Sequence, residues 1–170
     1  AISCSLVGSE MCIRDRYILA HLAGLKAEDA FIDWGAMSGW GLGYHVLEKR
    51  WSKEQLDLLG IPKEMMPKIR KPWDIIGHLT EEFAQKTGLP AGIPICAGAG
   101  DTMQSMIGCG VTGVYKAADV AGTCAMFCIA TDGIKPELSQ PENQLVFNSG
   151  TLENTYFYWG YIRTGGLALR

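Results

Sequence analysis

The sequence has no long hydrophobic run, no block of basic residues, no paired cysteine spacing, no internal repeat and no low-complexity linker. Its longest apolar stretch, Ala117 to Ala130, is broken by Asp119, and no stretch reaches the roughly 20 apolar residues a bilayer span needs. A transmembrane helix is therefore excluded and no membrane partner is expected. Lys and Arg total 15 against 18 Asp and Glu, leaving a formal charge of −3 with no basic stripe. The electrostatic footprint of a nucleic-acid binder is missing. The six Cys show no disulfide-framework spacing and lie mostly in apolar runs, which points to reduced, buried thiols and a cytoplasmic protein. His21, His45 and His78 share no metal-like spacing, and Cys96, Cys109, Cys124 and Cys128 do not form a metal set, so no metal ligand is expected in this chain. What is present is a 170-residue chain with 48% hydrophobic and 19% charged residues, the composition of a globular fold. Its 21 Gly cluster at 35–43, 98–113 and 165–166, where backbone must turn tightly or approach a ligand.

Residues 5–16 read SLVGSEMCIRDR and follow neither a helical nor a strand period. One reading frame for Glu10 to Arg16, GAG ATG TGT ATA AGA GAC AG, matches the transposase end sequence of sequencing-library adapters. Residues 1–16 are accordingly read as a non-native, adapter-derived segment, outside fold reasoning, with native sequence beginning near Tyr17. The other end, YIRTGGLALR, carries neither a polar tail nor a helix stop, so the chain is expected to be an internal fragment.

Beyond Tyr17, YILAHLAG has a helical pattern ending at a C-cap Gly, and residues 30–43 form a Gly- and Trp-rich loop. Ser52 with Gln55 makes a capping box for a helix over 53–59, stopped by Gly60 and Pro62. An extended segment then leads to a strand around 74–78. Thr80 caps a helix over 81–87, with Glu81 and Glu82 at its positive end and Gly88 and Pro90 at its stop. From Ile93 the pattern is strand, Gly turn, helix. Residues 114–121 and 124–131 read as a hairpin closed at Gly122 and Thr123, followed by strands near Val146, over 156–161 and from Leu167. The class is α/β, with a shift from helix to strand near residue 110. The five Trp, at 34, 40, 51, 73 and 159, are read as core and cleft packing.

Two places carry chemistry. Asp101 directly follows Gly98-Ala99-Gly100 at a strand-to-helix junction, where α/β sheets gather ligands; the same placement suits a helix N-cap. Ala121-Gly122-Thr123-Cys124 is a small-residue turn whose consecutive N–H groups and Thr hydroxyl can cradle phosphate; it is also an ordinary hairpin turn. Together, a strand-end carboxylate and a Gly-Thr turn suit phosphoryl transfer to an alcohol.

The stretch PKEMMPKIRKPWDIIGHLTEEFAQKTGLPAGIPICAGAGDTMQSMIGCGV, followed by DVAGTCAMFCIATDG and YIRTGG, resembles the FGGY sugar kinases, near their xylulokinase-like branch, over roughly residues 17–170. The resemblance implies an actin-like (ribonuclease H-like) ATPase fold with two domains, of which 17–112 would be the end of the first and 113–170 the start of the second. It implies ATP and Mg²⁺ as cofactors, a sugar or polyol such as xylulose as substrate, and is compatible with a homodimer. By the same resemblance Asp101 is the general base, and Gly122, Thr123 and Cys124 form the second phosphate loop. Cys124 replaces the usual Ser, leaving the backbone amides and Thr123 as the main donors. Thr102 and Met126 would face the sugar. Asp33-Trp34 falls at the family's Asp-aromatic pair, but Gly35 and Ala36 replace the polar residues that usually follow, so the segment is read as structural. The family's first phosphate loop, with its Mg²⁺-serving Asp, and its adenosine-binding segment have no counterpart here, so the fragment alone is expected to be inactive. Rival readings are a non-catalytic, sugar-sensing or regulatory actin-like protein and a nucleotide hydrolase using the same cleft.

Overall fold

The computed structural model describes residues 10–39, 43–121 and 125–162, in two compact units that divide between Gly100 and Asp101.

The first unit opens with helix α1, Glu10–Ala23, which ends where Gly24 turns left-handed at φ +64°. The helix begins well before Tyr17, inside the stretch for which the sequence pattern predicts no element. Strand β1, Phe31–Asp33, lies in what reads as a loop; it pairs in parallel with β4, Lys68–Arg70, in the register Phe31 to Lys68 and Asp33 to Arg70. Between them come the hairpin of β2, Tyr44–His45, with β3, Arg50–Trp51, and helix α2, Lys53–Leu58. Strand β5, Ile75–His78, helix α3, Glu81–Thr87, and strand β6, Pro94–Cys96, complete the unit, with β5 and β6 antiparallel.

The caps explain why these helices start and stop where they do. Ser52 Oγ accepts from the Gln55 amide at 3.3 Å, and Thr80 Oγ1 accepts from the Phe83 amide at 3.4 Å; α3 ends at Gly88 in the left-handed region, φ +75°. The capping box at α2 is only half made. The Gln55 side-chain carbonyl accepts from the Gly43 amide at 2.7 Å, and the Ser52 amide donates to the Gly43 carbonyl at 2.8 Å. Gln55 thus ties the helix to the preceding hairpin instead of closing its own cap. Ile32, Met37, Tyr44, Trp51 and Leu56 form the core of this unit, with Val46, Ile61, Met66 and Ile69 packed around it.

The second unit is helix α4, Asp101–Gly108, on an antiparallel sheet in the order β7-β8-β10-β9. Strand β7 is Ala117–Ala121, β8 Ala125–Thr131, β9 Val146–Ser149 and β10 Tyr156–Ile162. The sheet face toward α4 alternates as a half-buried strand must: Cys128, Ala130 and Phe157 meet Met103, Met106 and Val111 in one buried cluster. Tyr158, on the opposite face of β10, is 1% exposed, and its hydroxyl accepts from the Lys135 amide at 2.8 Å and pairs with Ser139 Oγ at 2.6 Å. This anchors the 132–139 segment across the sheet.

Two readings of the sequence need correction. Cys96 and Cys109 are exposed, and of the described thiols only Cys128 is buried; Cys96 occupies an outward position of a short two-stranded pair, and Cys109 follows the end of α4. Trp34 and Trp51 are buried at 6% and 7%, but Trp73 is 42% exposed and meets Trp34 edge to face at 5.3 Å. Trp40 and the segment from Leu167 lie outside the described residues.

Candidate active site

Asp101 is flanked in sequence by two anchored pieces of backbone. On its N-terminal side, the Ala97 amide donates to the Asp74 carbonyl at 2.9 Å and the Gly98 amide to the Pro72 carbonyl at 2.8 Å. The Ala97 carbonyl accepts from Arg16 Nη1 at 2.6 Å. Gly98 then turns at φ +74°, a conformation that costs a residue with a Cβ roughly 1–2 kcal/mol, so glycine is needed here for the backbone. On the C-terminal side, Met103 and Met106, at 1% and 0% exposure, hold α4 in its core.

The Asp101 side chain is exposed, and its Oδ1 accepts from the adjacent Thr102 amide at 2.7 Å. Its backbone carbonyl accepts from Ser105 Oγ at 2.9 Å. Oδ2 has no partner among the described residues, so the carboxylate is oriented through one oxygen and open at the other. A carboxylate held this way can take a proton from an approaching hydroxyl.

Thr102 is half-buried in the first turn of α4. Met126 is half-buried on β8 and packs against the Met103–Phe157 cluster. Gly122, Thr123 and Cys124 lie outside the described residues. Strands β7 and β8, which flank them in sequence, are in register, with Ala121 opposite Ala125. Asp101 therefore opens the helix that packs on the sheet containing β7 and β8. Among the described residues no group of three or more His, Cys, Asp or Glu could hold a metal ion, and no described helix is long and apolar enough to cross a membrane.

The first unit contains a buried pair that sequence reasoning missed. Asp33 is 0% exposed; its Oδ1 accepts from the Ala36 amide at 2.8 Å, and its Oδ2 is ion-paired with Arg16. Burial pushes its carboxyl above the ordinary value of 3.8, while the Arg16 charge and backbone N–H groups pull it back. No local signal links residues 16 and 33, which meet only in the folded chain.

The chain matches the FGGY family of carbohydrate kinases, N-terminal domain, over residues 9–108. It is 30% identical over 78 residues to the autoinducer-2 kinase of Yersinia enterocolitica (serotype O:8 / biotype 1B), covering 46% of this chain and 15% of that protein. Among solved structures it is similar to ligand-bound xylulose kinase from Lactobacillus acidophilus, with TM-score 0.76 and 26% identity over 89% of this chain and 29% of that one. Gluconate kinase from Lactobacillus acidophilus gives the same TM-score, identity and coverage. The chain thus spans under a third of the length of these relatives. Its α/β units are a portion of the actin-like ATPase fold that these kinases share. With the match running through α1, the β1–β6 unit and α4, this chain belongs to the FGGY family of carbohydrate kinases.

Proposed function

We propose that this chain is the central part of an ATP-dependent carbohydrate kinase that phosphorylates a hydroxyl of a sugar or polyol, with a pentulose such as xylulose as the substrate. The observation that carries the reading is the Asp101 carboxylate, exposed, oriented through Oδ1 by the Thr102 amide, and set where a glycine turn meets α4. Residues 17–112 are assigned to the N-terminal domain of the kinase and 113–170 to the beginning of the C-terminal domain. The acidic balance and the unpaired thiols favour a cytoplasmic enzyme.

In this mechanism the substrate hydroxyl lies against Asp101 Oδ2. Its proton passes to the carboxylate as its oxygen forms a bond to the γ-phosphorus of ATP, and the bond from that phosphorus to the β,γ-bridging oxygen breaks to leave ADP. General-base assistance of this kind contributes about 10² to 10⁴ in rate. Thr102 beside the base and Met126 beside the hairpin line the sugar side. The backbone amides of Gly122, Thr123 and Cys124, with the Thr123 hydroxyl, hold phosphate oxygens. When bound, Mg²⁺ would supply charge neutralisation on the transferring phosphoryl group; the described residues hold no cluster of three or more metal-ligating side chains, and none is named as its ligand.

The test is Asp101→Asn in the protein at the full span of its relatives, read as phosphate transfer to xylulose and as sugar binding. The expected result is a loss of about 10² to 10⁴ in kcat with the sugar Kd unchanged. Turnover within a few-fold of the parent overturns the base assignment. Sugar binding without turnover in the parent would establish the sensor reading, and ATP consumption indifferent to sugar would establish the hydrolase reading.

A further inference from the structure

A basic groove lies on the first unit among residues not used in the mechanism above. It has a volume of about 300 Å³ and is lined by Lys49, Arg50, Trp51, Lys63, Met66, Pro67, Lys68 and Ile69. Four of these are cations and none is an acid. In a chain of net charge −3, such a local excess of positive charge is set against the overall balance. The volume matches the lower end of small-molecule pockets, about 300 to 1,000 Å³.

The groove is built by three elements that converge from different stretches of sequence: the β2-β3 hairpin, the turn at Lys63–Met65 and strand β4. Its floor is rigid. Trp51 is 7% exposed, its Nε1 donates to the Pro67 carbonyl at 2.8 Å, and Tyr44 backs it edge to face at 6.1 Å. Lys49, at the hairpin tip, adopts a left-handed backbone at φ 51°, and its ammonium lies 4.4 Å from the centre of the Trp34 ring. Arg50 is held on the rim by Glu48, through Nε, and by the Trp51 carbonyl, through Nη1 at 3.3 Å. Its Nη2 has no partner among the described residues.

Three neighbouring acids face the lining cations. The Glu54 carboxyl is held below its ordinary value by hydrogen bonds from its own amide and Ser52, and the Arg50 charge helps to hold it there; Glu48 and Asp29 pair with Arg50 and Lys68. Glu48 engages only one edge of the Arg50 guanidinium, and Asp29 stands 3.9 Å from Lys68 across a half-exposed pair. Such pairs are worth about 0–1 kcal/mol and yield readily to a stronger anion. Lys63 has no ion pair among the described residues, with Glu64 beside it in sequence.

We infer that this groove is a second binding site, for a small phosphorylated metabolite that carries a diphosphate or two phosphate esters. Two ammonium groups, Lys63 and Lys68, and the open edge of Arg50 supply the point charges and the planar fork that phosphate oxygens prefer. Met66, Pro67 and Ile69 supply an apolar wall for the carbon part of an ester. The groove is too small for a macromolecular polyanion to be its designed occupant. The inference does not depend on the kinase reaction.

The test is residue-by-residue acetylation of lysines in the protein at the full span of its relatives, read by peptide mass spectrometry, with and without inorganic pyrophosphate at constant ionic strength. Modification of Lys49, Lys63 and Lys68 is expected to slow several-fold, while Lys53 and Lys86, paired with Asp57 and Glu82 on α2 and α3, keep their rates. The double substitution Lys63→Gln with Lys68→Gln, both on exposed side chains, is expected to abolish the protection of Lys49. Unchanged rates at the three groove lysines overturn the site, as does equal slowing at Lys53 and Lys86, or protection of Lys49 that survives the double substitution. A sugar bisphosphate that protects at lower concentration than pyrophosphate identifies the organic ester as the occupant; the reverse order identifies the inorganic anion.

Discussion

The Arg16 guanidinium is ion-paired with the buried carboxylate of Asp33, and through Nη1 it also holds the Ala97 carbonyl at the start of the turn that leads to Asp101. One cation thereby joins α1, the end of β1 and the backbone beyond β6. Both charges are largely out of water, at 15% and 0% side-chain exposure, so neither can be removed without stranding the other.

Arg16→Ala is expected to destabilise the protein by about 3–5 kcal/mol, the usual cost of leaving a buried charge without its partner. The deficit should depend on pH in a defined direction. The Asp33 carboxyl already sits above its ordinary 3.8 because of burial, and Arg16 is the largest cause that lowers it. A folded-state value above the unfolded one means the folded protein binds this proton more tightly. Asp33 then contributes most below 3.8, and that contribution is lost as pH rises through its folded value. Without Arg16 the value rises further, so the deficit of the variant grows with pH and shrinks in acid. Urea unfolding across a pH series reads this directly, and a deficit independent of pH would contradict it. A chain beginning at Tyr17 lacks the same cation and should behave like the variant.

Gly77→Ala is expected to cost about 1–3 kcal/mol through overpacking. A Cβ at this position would lie 2.8 Å from the Cβ of Ala23, forcing the last turn of α1 away from β5. Restoring the space with Ala23→Gly should recover part of the loss, less about 1 kcal/mol for glycine in a helix. Thermal unfolding of the two single variants and the double variant checks the coupling; strict additivity would show that the two positions do not touch.

Tyr158→Phe is expected to cost about 1–3 kcal/mol, because the Lys135 amide is left without its acceptor. Its hydroxyl is the point at which the 132–139 segment is tied to β10, through Lys135 at 2.8 Å and Ser139 at 2.6 Å. Amide exchange at Lys135 should accelerate well beyond the change at Phe157, whose place in the α4 cluster is unaltered. Equal acceleration at both would mean a global loss of stability instead of a local one.

Local chemistry was enough to read most of the regular elements. Ser52 and Thr80 announce α2 and α3 because a cap needs only a side-chain oxygen and an amide three residues on, and Gly88 ends α3 because a left-handed residue needs no Cβ. The β7-β8 hairpin and the strand, glycine turn and helix that set Asp101 at the head of α4 are likewise written in contiguous residues, as is the FGGY resemblance that the family match confirms. What only the tertiary structure decided are relations between residues distant in sequence. Strand β1 is too short to show a period and exists because β4 offers it a parallel partner; Gln55 leaves its own cap for the Gly43 amide; Cys96 and Cys109 face outward although their neighbours are apolar. The Arg16–Asp33 pair and the gathering of Lys49, Arg50, Lys63 and Lys68 around Trp51 have no trace in periodicity or spacing. Side-chain pattern reports which face of an element is apolar, but the partner that face meets, and the charges carried along with it, are settled only when the chain closes on itself.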